Sequence, residues 1–492
     1  MKSLIKPIII GLGLLWNLPS YAAPATTTTP IKKAAPVHQV STNHINGPSN
    51  LPETGTKYLP IDLDTPGQSF VSTGPYLGVP LQYSGSNLII NNPNINEDVS
   101  LLNLRKNINK RLAQMGGPHC VDHAHLLLSG QIEAQAFYKK GGPGSNSSDI
   151  NVTTVNLDSY ILGPSSWTSG LMSFSYEDDI GSEAGVIATT HRVSNSRLFV
   201  NKAFIIVGDF AQSPFYGTIG QMYVPFGTYS TSFVTSPMTK TLFRTKDRAL
   251  LVGYQGQTPC TFYGSIYAFR GDAKIPSNSK RINNGGINVG YRAKKEGSGM
   301  DIGAGVLANI ADSFGLQRTL NGPGVWGGFG AGAYNACGPG GTGPCGSESI
   351  VHRVPAYEMR AMFDIGEHWD LLAEYIFAST AFNPNDATFK SIGAKPQALN
   401  AEIAYSFCAF NRPNSIAVGY GMTKEALMLG LPAQRWGVVW NTSIWRDTLE
   451  SLEFRHDRDY AGSATSSGNN IPGPTPSGLS DNVLTAQFDI YF

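Results

Sequence analysis

The sequence predicts an all-β fold: an antiparallel transmembrane β-barrel of about sixteen strands, preceded by a disordered leader and one short helix. Three observations carry that expectation. From Ala124 onward, apolar and polar residues alternate with period two in segment after segment. The connections between those segments alternate between long and short. The chain also ends on "NVLTAQFDIYF", where Leu484, Ala486, Phe488, Ile490 and Phe492 are apolar and Thr485, Gln487 and Asp489 are polar. An unpaired strand edge invites aggregation, and closure into a barrel removes the edge. The last strand is therefore expected to pair with the first, over 124–138.

The N-terminal elements come first in the chain. "MKSLIKPIIIGLGLLWNLPSYA" sets Lys2 and Lys6 before an apolar run and ends on Ser20-Tyr21-Ala22, which reads as a secretory signal peptide over residues 1–22. No other stretch approaches the roughly 20 apolar residues of a membrane-spanning helix, so an exported chain of this kind would enter a membrane as strands. Residues 23–95, rich in Thr, Pro, Asn and Ser, read as a low-complexity periplasmic leader. Over 96–117 the pattern turns helical. Val99, Leu101, Leu102, Leu104, Ile108 and Leu112 recur at helical spacing, Glu97 and Asp98 lead, and Gly116-Gly117-Pro118 closes the segment. This short amphipathic helix is expected to pack under a barrel or to pair with copies of itself.

The barrel is assigned to 124–492. Alternation is cleanest in "SGQIEAQAFY", "INVGYRA", "YEMRAMFDI", "WDLLAEYIF" and "LNAEIAYSF". Strand starts fall near 124, 150, 167, 196, 213, 247, 260, 286, 299, 354, 369, 397, 413, 434, 447 and 482, with the facing of those near 196, 213 and 260 left open. Long connections such as "TYSTSFVTSPMTKTLFRTK" alternate with short ones such as "GQTP" and "GEH". Long external loops and short periplasmic turns are the habit of outer-membrane barrels in Gram-negative bacteria. The terminal aromatic strand, with Phe488, Ile490 and Phe492, resembles the signal read by the outer-membrane assembly machinery.

A barrel of about sixteen strands is wide enough for an aqueous channel, and the leader with its single helix is too small for the folded plug of an energised receptor. The inward rows are expected to carry Glu133, Arg292, Asp301, Glu358, Arg360, Glu374, Glu402, Arg435, Glu453, Arg455 and Asp489. These residues either solvate the lumen through cross-strand ion pairs or line a permeation path whose opposed rows orient charged solutes. The long connection from Thr228 to Thr245 is either the candidate constriction, with Lys240, Arg244 and Lys246, and Arg248 at its base, offering attraction to anions, or a plain solvated external loop. Charged residues make up only 14% of the chain and the net charge is +1, which gives no reason to expect nucleic-acid binding. Cys337 and Cys345, close together in a Gly/Pro-rich stretch, are disulfide candidates, whereas Cys120, Cys260 and Cys408 cannot all pair among themselves. "HCVDHAH" gathers His119, Cys120, His123 and His125, residue types suited to zinc or copper, but the start of the first strand accounts for them more simply. No nucleophile elbow or phosphate loop stands out, so neither enzyme chemistry nor a cofactor is expected.

The arrangement resembles the legiobactin-receptor-type siderophore porins (the LbtU family) of Legionella and related bacteria. The likeness lies in the signal peptide, the leader and short helix, the sixteen strands, and the phrases "RLFVNKAFIIVGDFAQSPFYGTIGQMYVPFG" and "TSPMTKTLFRTKDRALLVGY". It implies a route for ferric siderophore across the outer membrane without an energised, plugged receptor. The short helix departs from a long coiled coil, so a periplasmic oligomerisation role does not carry over, and a homo-oligomer is left open. A general or anion-preferring diffusion porin, and a structural or adhesive surface barrel, are the competing readings.

Overall fold

The computed structural model describes residues 71–73, 96–114, 124–141, 146–163, 165–177, 197–275, 281–295, 297–317, 328–329, 349–366, 368–445, 447–468 and 471–492. The segment expected to be a signal peptide (1–22) and almost all of the expected leader (23–95) lie outside the described residues.

Sixteen long strands form one closed antiparallel barrel. They are β1 (His125–Lys140), β2 (Ser147–Leu162), β3 (Thr168–Glu177), β4 (Arg197–Gly208), β5 (Phe215–Tyr223), β6 (Lys246–Gln255), β7 (Cys260–Phe269) and β8 (Asn284–Lys295). The second half comprises β9 (Ser298–Leu307), β10 (Ala356–Ile365), β11 (Trp369–Ala378), β12 (Gln397–Ala409), β13 (Arg412–Lys424), β14 (Gln434–Thr442), β15 (Thr448–Arg458) and β16 (Ser480–Tyr491). Each start falls within three residues of its expected position, because a half-buried strand declares its facing locally, in its own side chains.

Each strand pairs with its sequence neighbours, and β16 closes the ring on β1 with Gln131 opposite Tyr491 and Lys140 opposite Asn482. The terminal residue takes part in the seam. Phe492 and Gly130 exchange backbone hydrogen bonds of 2.8 and 3.0 Å, and the Phe492 ring lies where a Cβ on Gly130 would stand, 2.3 Å from its Cζ. β1 begins before β16 reaches it, and the bare edge at Leu126–Leu128 is covered by a parallel three-residue strand, Val71–Thr73.

The connections alternate. Those at one end (163–167, 209–214, 256–259, 296–297, 366–368, 410–411 and 443–447) are short, and most at the other, including 178–196, 224–245, 308–355 and 459–479, are long. One of the two two-residue connections, at 410–411, places Phe410 (φ 53°) and Asn411 (φ 56°) both in the left-handed region, the backbone of a hairpin matched to strand twist.

Outward rows expose apolar side chains, among them Ile219, Leu250, Val252 and Phe262. Aromatic residues flank this band at both ends: Trp369, Trp440 and Trp445 toward the short turns, Tyr357, Tyr420 and Trp436 toward the long loops. An apolar belt between two aromatic girdles is the surface of a barrel solvated by lipid. Inside the wall, large rings find room beside glycines. A Cβ on Gly253 would stand 2.3 Å from the Tyr216 ring, and one on Gly290 would stand 2.2 Å from that of Tyr263.

The helix α1 (Glu97–Gln114) corrects the sequence reading. It does not lie beneath the barrel but docks inside it, at the short-turn end. Val99, Leu101, Leu102 and Ile108 are buried in one cluster with Leu127, Tyr160, Leu162, Phe204, Ile206 and Tyr216 of the inner wall.

Candidate functional site: a clamped segment across the lumen

By strand parity, all eleven candidate lumen residues stand on inward rows: Glu133 on β1, Arg292 on β8, Asp301 on β9, Glu358 and Arg360 on β10, Glu374 on β11, Glu402 on β12, Arg435 on β14, Glu453 and Arg455 on β15, and Asp489 on β16. They do not form one open strip. They fall into three groups with different work.

The first group holds a loop. Residues 224–245 leave β5 and return on β6, yet their hydrogen bonds reach β11, β12, β14 and β15, on the other side of the ring, so the segment crosses the lumen. Glu374 Oε1 accepts from the backbone N–H groups of Thr228 (2.5 Å) and Tyr229 (3.1 Å), and its Oε2 accepts from Thr239 Oγ1 (2.6 Å). Glu402 accepts from Thr231 Oγ1 (2.5 Å) and the Ser232 N–H (2.8 Å). Glu453 accepts from the Thr235 N–H at 2.8 Å. The two arginines donate to the same segment: Arg455 to Thr235 Oγ1 (2.8 Å) and Arg435 to the Ser236 carbonyl (3.4 Å). Both also pair with Asp457, at 3.1 and 2.7 Å. A carboxylate is acceptor-only and meets several N–H and O–H donors at once, so three glutamates secure irregular backbone that has no ladder of its own.

The second group is a chain of polar contacts over β7 to β10. Arg360 pairs with Glu358 (2.6 Å) and donates to Tyr263 OH (3.0 Å) and Asn288 Oδ1 (2.7 Å). Tyr263 donates to Asp301 (2.5 Å), which pairs with Arg292 (2.7 Å). The third group lies at the barrel seam. Glu133 and Asp489 stand directly opposite each other across the β1–β16 seam, with Gln135 donating to Glu133 (3.0 Å) and Gln487 to Asp489 (2.7 Å).

The four candidate constriction cations separate. Lys240 and Arg244 belong to the crossing segment, in and just after the short helix α2 (Met238–Phe243). Burial and the neighbouring Arg244 charge push the Lys240 ammonium down to about 7, with Glu133 pulling the other way. Arg244 lies over the rings of Tyr223 and Phe314, 4.6 and 5.6 Å from their centroids. Lys246 and Arg248 are corrections: they sit on the outward row of β6, with Lys246 donating to Asn201 (3.0 Å) and Arg248 exposed. Period two sends them out with Leu250 and Val252, and the connection ends before them.

Helix α1 narrows the lumen from the other end. Glu97 pairs with Lys202 of β4 at 2.7 Å, both buried, and burial lifts the Glu97 carboxyl to about 7. Asp98 accepts from Thr218 Oγ1 at 2.7 Å, and Tyr160 OH donates to the Leu101 carbonyl at 3.1 Å. Arg105 donates to the carbonyls of Thr168 (2.6 Å) and Ser165 in and beside a short turn. Sequence reasoning read Glu97 and Asp98 only as acids leading the helix; the signal it lacked was Lys202, a cation on the inward row of an ambiguous strand.

His125 is buried at the start of β1, while His119, Cys120 and His123 lie outside the described residues, as do Cys337 and Cys345. Among the described residues no group of three His, Cys, Asp or Glu side chains is placed to hold a metal. Cys260 and Cys408 are free and exposed.

No established family profile matches the chain. Among solved structures, it is similar to the outer membrane channel DcaP of Acinetobacter baumannii (TM-score 0.45, 11% identity, 75% of this chain and 98% of that one). It is similar also to an anion-selective porin from Comamonas acidovorans (TM-score 0.48, 9% identity, 75% and 100%). Its sequence relatives are far nearer. A UPF0422 protein of Coxiella burnetii is 36% identical over 431 residues, 86% of this chain and 84% of the relative. A UPF0422 protein of Legionella pneumophila strain Lens is 34% identical over 431 residues, 86% of this chain and 76% of the relative. At that identity over 86% of its length, the chain belongs to the UPF0422 family.

Proposed function

We propose that this UPF0422 protein is a porin-like channel of the Gram-negative outer membrane, with its short turns toward the periplasm, and that its cargo is a ferric siderophore. The observation that carries the channel reading is the segment 224–245, held across a sixteen-strand lumen by Glu374, Glu402 and Glu453. A barrel of this strand number encloses more space than its own side chains fill. A segment pinned across that space sets the size and charge of what passes, with no chemical step. The siderophore cargo rests on the family resemblance, and the small helix in the lumen is consistent with a route that lacks a folded, energised plug.

General diffusion of small solutes is the second reading, favoured by lumen charges that are largely absorbed in wall and loop contacts. Single-channel recording separates the two. Open current blocked by a micromolar ferric siderophore, and by neither phosphate nor sugars, supports the selective route. Steady current indifferent to the chelate leaves a general porin. A folded barrel that passes no current overturns the channel reading and leaves a structural or adhesive surface protein.

A further inference from the structure

Three successive strands that run toward the long-loop end, β13, β15 and β1, each finish on an outward cation: Lys424, Arg458 and Lys140. All three are exposed, and none forms an ion pair among the described residues. Their positions follow from the ladder. Lys140 is opposite Asn482 of β16, Asn482 is opposite His456 of β15, and His456 is opposite Trp436 of β14. That outward row is tied together: His456 Nδ1 donates to Asn482 Oδ1 at 2.7 Å, and the His456 and Trp436 rings stack at 5.0 Å. Arg458 stands two residues further along β15, opposite Gln434 and Ser480. Immediately below this row come Val438, Phe454, Leu484 and Tyr138, the apolar and aromatic edge of the lipid-facing band.

The order is therefore lipid-facing apolar rows, then a row in which the stacked Trp–His pair and the carboxamide stand beside Lys140, with Arg458 and Lys424 further toward the long loops. Alternate strands lie about 10 Å apart, within reach of long side chains that extend along an apolar surface to bring their charges to its rim. The carboxylates closest in the chain are already engaged: Glu425 accepts from the Lys395 N–H (2.7 Å) and Asp459 from the Ser477 N–H (2.6 Å). Asp481 pairs with the inward Lys139 at 2.7 Å. Each of these carboxylates is held by its own partner, and Lys140, Lys424 and Arg458 are exposed at the rim.

We propose that Lys140, Lys424 and Arg458, with His456, Asn482 and Trp436, form a docking surface for a phosphorylated glycolipid headgroup of that leaflet. The cations meet phosphate, the His–Asn pair offers hydrogen bonds, and the Trp436 face offers a sugar a stacking surface. The proposal rests on the membrane reading of the barrel but not on what the lumen conducts.

The test is native mass spectrometry of the full-length barrel in detergent, titrated with diphosphorylated lipid A and, separately, with phosphatidylcholine. The variant K140Q/K424Q/R458Q is compared with the wild type and with a control, K295Q/R412Q, whose changes lie at the short-turn rim. At about tenfold per 1.4 kcal/mol and about 1 kcal/mol per cation, the triple variant should lose roughly 100-fold in affinity for the diphosphorylated lipid. The control, and single-channel conductance in all three proteins, should be unchanged. Equal affinity in wild type and triple variant, equal loss in the control, or equal binding of phosphatidylcholine overturns the proposal.

Discussion

Replacing Glu374 with Ala should release the crossing segment without unfolding the barrel. Glu374 accepts three close hydrogen bonds, from Thr228 N–H, Tyr229 N–H and Thr239 Oγ1, at 2.5, 3.1 and 2.6 Å. Hydrogen bonds to an ionised partner contribute about 1.5–3 kcal/mol each, and lumen water rehydrates part of what is freed, so roughly 3 kcal/mol of docking energy should be lost. That is about 150-fold in the ratio of docked to released segment. The backbone adds to the effect. Tyr229, fully buried, sits at φ 54°, a conformation that costs an L residue about 1–2 kcal/mol and that the docked state must maintain. None of the lost bonds belongs to the strand ladder, so heat-modifiable mobility on gels should match the wild type. In planar bilayers, Glu374→Ala should show larger mean conductance and added flicker, with Glu374→Gln between the two. A folded Glu374→Ala barrel with wild-type conductance and noise would refute the view that this glutamate holds the constriction.

The Lys240 ammonium, pushed down to about 7, should lend the lumen a positive charge below that pH and none above it. Reversal potentials in a salt gradient should therefore shift away from anions as pH rises through about 7, and Lys240→Met should abolish the shift. Because the folded pKa lies below the unfolded one, protonation opposes docking, and segment 224–245 should be most protected from hydrogen exchange on the alkaline side. At the other end, Glu97→Gln or Lys202→Met should each cost helix α1 about 3–5 kcal/mol of docking by leaving a buried charge unpaired. The swap E97K/K202E should recover much of it, read as resistance of α1 to limited proteolysis; equal resistance in all four proteins would contradict the ion-pair account. Asp312 in the 308–355 loop, raised to about 6 by burial while accepting from the Ala273 N–H (2.7 Å), should favour the packed loop below about pH 4 and weaken it as pH rises through 6. Asp312→Asn should flatten that dependence in hydrogen exchange of residues 271–275.

The sequence by itself determined the wall. Strand number, facing and the long–short alternation of connections are local properties: a residue in a strand reports inside or outside through its own side chain, and the next repeats the message two positions on. Hence Glu358 and Arg360, or Glu402 between Ile403 and Ala401, could be placed on the lumen face with no partner in view. The contents of the lumen were decided only by tertiary structure. Glu374 looks like any other inward acid until backbone donors from residues 228–229, arriving from across the barrel, meet it. Lys246 and Arg248 seem to belong to the crossing segment until the ladder shows that β6 has already begun. The helix was legible as a helix, but its docking inside the barrel depends on Lys202, Thr218 and the carbonyl groups around turn 163–167, contacts more than fifty residues away in the chain. Period two encodes a surface; what occupies the space behind it is set by the closure of sixteen strands, which brings those distant groups within hydrogen-bonding reach.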